Sequence, residues 1–200
     1  VDTDADGHID DEQQQLGYSD GLKHFYFAAG GTEDERPTMG VALNIDPKRK
    51  EVNFHFPDGA HGTHVAGIAA GYNLFDKKGF NGIAPGAKVM SLKIGDNTLS
   101  GGRTTTESMK KAVEFAGKWS KDNKTPVVVN MSYGIGTELE GESDIDRITD
   151  RLVQKYPLLS VATSAGNAGP GLSTVGTPAG AHLAFSTGAL LTKANAKSLY

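Results

Sequence analysis

The feature that most constrains the fold is a regular alternation of short apolar runs with segments of helical periodicity after residue 52. The strand-like runs cover residues 88–94, 127–131, 158–165 and 182–191, and the helical segments cover residues 65–70, 104–119 and 143–156. Strands that alternate with helices pair in parallel through right-handed crossovers, and the helices cover both faces of the sheet. The pattern therefore predicts an α/β fold with three layers and a mainly parallel sheet.

Local signals refine the three helical segments. Residues 65–70 are apolar or small on every side, which predicts a buried helix. Threonines at the start of the 104–119 segment are typical N-caps, and Pro157 directly follows the 143–156 segment as a stop signal.

Residues 1–52 differ from the rest of the chain. They begin with an acidic stretch, carry strand-like runs at 24–28 and 40–45, and have no long helical period. We expect residues 1–52 to form a small β-rich lead-in and residues 53–200 to form the main domain.

Composition excludes several functions. The 20 Lys and Arg against 24 Asp and Glu give a net charge of −4, which argues against a polybasic surface for nucleic acid or anionic membrane. No apolar run approaches the roughly 18 residues of a membrane helix. The absence of Cys excludes a disulfide scaffold, a thiolate nucleophile and a cysteine-ligated zinc site, but it leaves the cellular compartment undecided.

Glycine-rich segments follow three of the predicted strands. In parallel sheets the ligand binds beyond the carboxyl ends of the strands. The candidate binding residues at these ends are Gly95, Gly101, Gly102, Ser132, Tyr133, Gly134 and Gly166. The backbone after the 127–131 strand is suited to pairing with an extended peptide.

Two side chains at the same predicted rim have catalytic chemistry. His61 opens a helix of small residues, which would hold an imidazole rigidly enough to act as a general base. Asn167 follows the 158–165 strand, where its amide could donate a hydrogen bond to an oxyanion.

The motifs at residues 61–71 (HGTHVAGIAAG), 130–134 (NMSYG) and 164–170 (SAGNAGP) resemble those of the subtilisin-like serine peptidases, in the same order. Further segments at 81–87, 93–96 and 172–178 resemble the tripeptidyl-peptidase II-like branch of that family. Residues 1–7 resemble a segment between the catalytic Asp and His of that branch. The resemblance extends over nearly the whole chain and implies a subtilisin-like fold.

The resemblance also implies the roles of the site residues. His61 would be the general base, and Asn167 would stabilise the tetrahedral oxyanion. The glycine-rich segments would line a cleft for a peptide or protein substrate. The resemblance implies no required cofactor.

Two parts of the family's catalytic machinery are absent from the sequence. The nucleophile of the family lies in a Gly-Thr-Ser motif after the oxyanion Asn, and none of Ser173, Ser186 and Ser198 has that context. The catalytic Asp of the family follows an apolar strand, and Asp2 and Asp4 match it poorly. We therefore expect the chain to be the central part of a catalytic domain, inactive alone and able to self-associate. Residues 1–52 would then be a lead-in or an insertion between the catalytic Asp and His.

Specificity is predicted from two positions. The tripeptidyl-peptidase II branch has two glutamates that hold the free amino terminus of the substrate, and their places fall here at Arg103 and Ile135. A cation and an alkyl group cannot bind an ammonium, so the sequence favours an endopeptidase. The alternatives are a tripeptidyl exopeptidase and a non-catalytic peptide-binding pseudopeptidase.

Metal sites are weakly indicated. Asp2, Asp4 and Asp6 have the alternate spacing of half a calcium loop, although a hairpin turn explains the same residues. A zinc site at His55, His61 and His64 lacks the spacing of known zinc motifs. We interpret His64 as a buried structural residue.

Overall fold

A computed structural model describes residues 7–8, 15–27, 39–96, 98, 102–137 and 139–199 of the chain. It divides into two compact units, Val1–Gly102 and Arg103–Tyr200. No helix within the described ranges is long and apolar enough to cross a membrane.

The first unit is built around a small antiparallel sheet. Its elements are α1 (Tyr18–Gly21), β1 (Phe25–Phe27), β2 (Met39–Asp46), β3 (Glu51–His55), α2 (His61–Ala70) and a 3-10 turn (Leu74–Asp76). The strand order is β1-β2-β3, and the hairpin register pairs Asp46 with Glu51. Phe25, Val41 and Leu43 form its buried cluster. The expected β-rich lead-in is thus present, and β3 runs across the predicted boundary between residues 52 and 53.

Helix α2 forms as predicted, but the prediction that it is buried is wrong. None of its residues is buried, and the Ile68 side chain is 56% exposed. The loop after the helix covers one side of it: the Ile83 and Ala84 amides donate to the Ile68 and Ala69 carbonyls over 2.9 and 2.8 Å. The opposite side is open to solvent.

The strand predicted at residues 88–94 is not formed. A strand requires a hydrogen-bonded neighbour, and neither described sheet includes this segment. Its apolar composition predicts burial as well, but no residue of the segment is buried and Val89 is 62% exposed.

The second unit contains a parallel sheet, as predicted. Its elements are α3 (Thr106–Asn123), β4 (Val127–Met131), α4 (Asp144–Lys155), β5 (Leu159–Ser164), β6 (Phe185–Thr187) and α5 (Lys193–Leu199). The strand order is β4-β5-β6, and both pairs are parallel. Inward residues alternate along β5, where Leu159, Val161 and Thr163 are buried.

The two long helices begin at side-chain caps. The Thr105 hydroxyl accepts a hydrogen bond from the Ser108 amide at 3.1 Å, and the Ser143 hydroxyl accepts one from the Asp146 amide at 3.2 Å. These bonds satisfy amides that have no partner within the helix. Helices α3 and α4 then pack together with the sheet through a buried set: Met109, Val113, Ala116, Ile145, Leu152 and Val161.

At Gly117 helix α3 packs closely against Tyr156, which follows α4. A Cβ atom at Gly117 would lie 2.7 Å from Cγ and 2.9 Å from Cε2 of the Tyr156 ring. Tyr156 is itself buried. The two segments can therefore approach this closely only because position 117 has no side chain.

Candidate active site

His61 is the first residue of α2, directly after the N-cap Ala60. Its imidazole is exposed, and no described residue hydrogen bonds to it. A histidine in this position has both ring nitrogens available for proton transfer. His64, one turn further along, is also exposed, so the prediction that it is a buried structural residue is wrong.

An ion pair connects the entry to α2 with the segment that leads to Gly95. The Lys93 ammonium lies 2.6 Å from Asp58 Oδ1, and the two side chains are only 31% and 21% exposed. Asp58 precedes His61 by three positions, and Lys93 precedes Gly95 by two. The pair therefore holds the backbone before the histidine close to the predicted substrate-binding segment.

Gly95 and Gly102 approach each other across that segment. A Cβ atom at Gly95 would lie 3.0 Å from the Gly102 carbonyl oxygen. Beside Gly95, the Asp96 carboxylate accepts hydrogen bonds from the Thr98 hydroxyl and amide at 2.6 and 2.9 Å, which lower the pKa of Asp96. Gly101 lies outside the described residues.

In the second unit, two predicted site segments leave neighbouring strands at the same end. Ser132, Tyr133 and Gly134 follow β4, and Gly166 and Asn167 follow β5. Met131 pairs with Thr163, so both segments start from the same level of the sheet. We call residues 132–134 the strand-end segment.

The strand-end segment is fixed by contacts on both sides. The Asn130 amide nitrogen donates to the Ser132 hydroxyl at 3.1 Å. A Cβ atom at Gly134 would lie 3.8 Å from the Ser164 carbonyl oxygen and 3.5 Å from that of Thr177. The next residue, Ile135, forms an isolated antiparallel bridge with Thr177.

Gly166 makes the turn that presents Asn167. Its φ of +92° is a conformation that L side chains rarely adopt. Its amide donates to the Ser164 hydroxyl at 3.1 Å, while the Ala165 amide donates to Thr187 of β6 at 3.0 Å. Asn167 is exposed beyond this turn, and its side-chain amide has no partner within the described part of the chain. That amide can donate to an incoming ligand.

The predicted site residues are thus distributed between the two units. His61, Gly95 and Gly102 belong to the first unit, whereas Ser132, Tyr133, Gly134, Gly166 and Asn167 are brought together at one end of the parallel sheet in the second. Their catalytic and binding roles stay predictions.

A buried polar cluster lies beside the strand-end segment and was not predicted from the sequence. The Ser143 and Thr177 hydroxyls each donate a hydrogen bond to Asp146, their oxygens lie close together, and Asp146 is completely buried. A partial signal was available, because a serine followed three residues later by an acidic residue has the spacing of a capping box. Nothing in the sequence indicated that Thr177 would join the cap.

Metal binding has little support in the described residues. Asp2, Asp4 and Asp6, the predicted calcium ligands, lie outside them. Within the described ranges, which include His55, His61 and His64, no group of three His, Asp or Glu side chains could hold a metal ion.

Comparison with known proteins identifies the family. The profile of the subtilase family matches residues 7–199. Tripeptidyl-peptidase 2 of Caenorhabditis elegans is 40% identical over 166 residues, which are 82% of this chain and 12% of that protein. Subtilisin E of Bacillus subtilis (strain 168) is 32% identical over 151 residues, covering 74% of this chain and 36% of that protein.

A solved structure, the S41 psychrophilic protease, matches with a TM-score of 0.53 at 26% identity, covering 69% of this chain and 42% of that one. This likeness confirms the predicted subtilisin-like α/β fold. The chain spans about an eighth of the tripeptidyl-peptidase and about a third of subtilisin E. Since the family profile matches almost every residue, the chain belongs to the subtilase family.

Proposed function

We propose that the protein containing this chain is a subtilisin-type serine peptidase and that it cleaves within polypeptides. The observation that carries this proposal is the common sheet end from which the strand-end segment and the exposed Asn167 amide both emerge. The strand-end segment supplies backbone groups that can pair with an extended peptide. The Asn167 amide supplies a hydrogen-bond donor for the oxyanion that forms at the scissile carbonyl.

In the proposed mechanism, His61 accepts the proton of a nucleophilic serine as that serine attacks the peptide carbonyl. Asn167 donates to the oxygen that becomes negatively charged. His61 then returns the proton to the leaving amine, and the acyl-enzyme is hydrolysed by water. The family's Gly-Thr-Ser motif is not in these 200 residues, so we expect the chain alone not to hydrolyse peptides.

Catalysis is tested by substitution in a peptidase that contains this chain. We expect His61→Ala to abolish turnover, whereas His55→Ala, which removes another exposed histidine of the same unit, should leave kcat within twofold. Asn167→Ala should lower kcat by about 10²–10³-fold. This is the loss of about 10²–10³ known for removal of one oxyanion donor in subtilisin, which is a relative. Wild-type kcat in the His61→Ala variant would refute the assignment of the base.

Endopeptidase specificity is supported by the groups at the two positions that the tripeptidyl branch fills with glutamate. Ile135 presents a side chain that is 53% exposed and has no charge, and its backbone is bound to Thr177. Arg103 is exposed and cationic. The nearby carboxylate of Glu107 lies 3.5 and 3.9 Å from the ammonium groups of Lys110 and Lys111. A substrate ammonium buried without a carboxylate partner would carry a large desolvation cost.

Specificity is tested with one peptide in two forms, with a free and with an acetylated amino terminus. We expect kcat/KM to agree within a few-fold. A preference of a hundredfold or more for the free amine would refute endopeptidase specificity and support the tripeptidyl exopeptidase alternative. The relatives named tripeptidyl-peptidase 2 give that alternative weight.

The second candidate function is peptide binding without hydrolysis. It would use the same features of the second unit, because the strand-end segment and the exposed Asn167 amide can bind an extended peptide whether or not it is cleaved. Fluorescence anisotropy with an extended peptide, together with mass spectrometry of that peptide, separates the two functions. Binding without cleavage by the whole protein would favour the pseudopeptidase.

A further inference from the structure

The proposed mechanism makes no use of Asp146, although it is a completely buried carboxylate. Its Oδ2 atom accepts a hydrogen bond from the Ser143 hydroxyl at 2.7 Å, and its Oδ1 atom accepts one from Thr177 at 2.8 Å. The two hydroxyl oxygens are 2.5 Å apart. We call Ser143, Asp146 and Thr177 the Asp146 cluster. A buried carboxylate needs such partners, so the cluster must keep its arrangement.

The Asp146 cluster connects directly to the backbone beside the strand-end segment. Thr177 donates its amide to the Ile135 carbonyl at 2.8 Å and accepts from the Ile135 amide at 3.1 Å. Ile135 directly follows Gly134. A continuous path of hydrogen bonds therefore runs from α4, through the Thr177 side chain and backbone, to the end of the strand-end segment.

Close packing on both sides of Thr177 limits any movement. A Cβ atom at Gly176 would lie 2.9 Å from the carbonyl carbon of Ile135. One at Gly180 would lie 2.6 Å from the Gly141 amide nitrogen and 3.1 Å from Asp146 Oδ2. Backbone thus contacts backbone at either end of the 176–180 segment. If the Thr177 hydroxyl were lost, the backbone hydrogen bonds between Ile135 and Thr177 would be the main polar contacts that hold the 176–180 segment in place.

We propose that Asp146 acts through Thr177 as a positioning residue that fixes the strand-end segment for pairing with an extended peptide. The claim that the strand-end segment pairs with a peptide rests on the proposed function. The geometry favours a carboxylate here, because its two oxygens accept from Ser143 and Thr177 at the same time. An amide in the same orientation would present one oxygen and one NH2 group, and the NH2 group can only donate.

The positioning role is tested by amide hydrogen exchange in the full chain. Thr177→Val removes the hydroxyl with little change in shape. The matched control is Thr149→Val in α4, where the equally buried hydroxyl bonds only to the Ile145 carbonyl at 2.8 Å. We expect Thr177→Val to accelerate exchange of the Ile135 and Thr177 amides at least tenfold, relative to the amides of β5.

Thr177→Ser, which keeps the hydroxyl, should restore the exchange rates to within threefold of wild type. If Thr177→Val does not fold, Asp146→Asn provides the same comparison with one acceptor fewer. Unchanged exchange at Ile135 in both variants, or equal acceleration in Thr149→Val, would overturn the proposal.

The effect on substrate is measured in an active peptidase that contains the chain. We expect Thr177→Val to raise KM at least fivefold and to change kcat less than twofold, because the strand-end segment binds substrate and the reacting groups are elsewhere. An unchanged KM despite faster exchange would overturn the link to the peptide. A wild-type protein without activity would instead refute the proposed function, and the exchange experiment would still decide the positioning role.

Discussion

Gly117→Ala should destabilise the second unit, although alanine is the better helix former. In an exposed helix the change would stabilise by about 1 kcal/mol. Here the added Cβ would lie 2.7 Å from Tyr156 Cγ, whereas carbon atoms in good contact are about 3.5–4.0 Å apart. The ring is buried and cannot rotate into solvent, so either the ring or helix α3 must shift.

The magnitude follows from the two opposing terms. Overpacking of a well-packed core costs about 1–3 kcal/mol, and an overlap of this size against an aromatic ring lies at the upper end of that range. Subtracting the helix-propensity gain leaves a net loss of about 2 kcal/mol. For a unit of roughly 100 residues this lowers Tm by about 8–16 °C.

Urea unfolding followed by circular dichroism measures this loss. A double-mutant cycle with Tyr156→Leu isolates the overlap, because Gly117→Ala should become neutral or stabilising once the ring is absent. Gly62→Ala in α2 is a second control, since a Cβ atom there meets nothing within 4 Å. A Gly117→Ala variant as stable as wild type would show that the two segments can separate without cost, and the packing argument would be wrong.

Two further predictions concern the helices of the second unit. Thr105→Ala should lower the unfolding free energy by about 1 kcal/mol, since the Ser108 amide loses its cap, whereas Thr105→Asp should retain stability; urea unfolding checks both. The Lys155 ammonium, 2.9 Å from Glu114, holds the pKa of Glu114 below its ordinary value of 4.5, and the carboxylate raises the pKa of Lys155 above 10.5. The ion pair therefore stabilises the folded state at neutral pH. This stabilisation is lost as the pH falls through the lowered pKa of Glu114, because the carboxylate is then protonated. It is also lost as the pH rises through the raised pKa of Lys155, because the ammonium is then deprotonated. Lys155→Met should return the pKa of Glu114 toward 4.5 in an NMR titration, and an unchanged value would contradict the assignment.

Elements with local start and stop signals were predictable from the sequence. Strand β4 has the predicted bounds, because a continuous apolar run follows Pro126. Helix α4 begins after its cap Ser143 and ends before Pro157, again as local chemistry dictates. The bounds of these two elements are determined by residues within a few positions of their ends.

The sequence-based predictions were wrong in two places where the outcome depends on what packs against an element. Residues 88–94 are apolar enough for a strand but pair with no described strand, and α2 is apolar but covered on one side only. Strand β3 was missed even though Val52 and Phe54 alternate with the polar residues Asn53 and His55, which is a strand signal.

The site shows the same division. Gly134, Gly166 and Asn167 could be located after strand ends from the motifs, since a motif fixes its own local turn, whereas Gly95 and Gly102 follow no strand. Asp146 could not be identified as a site-supporting residue, because a charged residue in an amphipathic helix is expected to face solvent. Its burial depends on Thr177, which is 31 positions further along the chain.

The pairing register of β4 with β5 has a consequence for tolerance to sequence change. Because the strand-end segment and Asn167 extend directly from these strands, a slip of one residue would displace them relative to each other by about 3.3 Å, more than the length of a hydrogen bond. Such a slip would also turn Leu159, Val161 and Thr163 toward the wrong face of the sheet. The alternating side chains along β5 therefore set the spacing between the strand-end segment and Asn167, although they belong to neither.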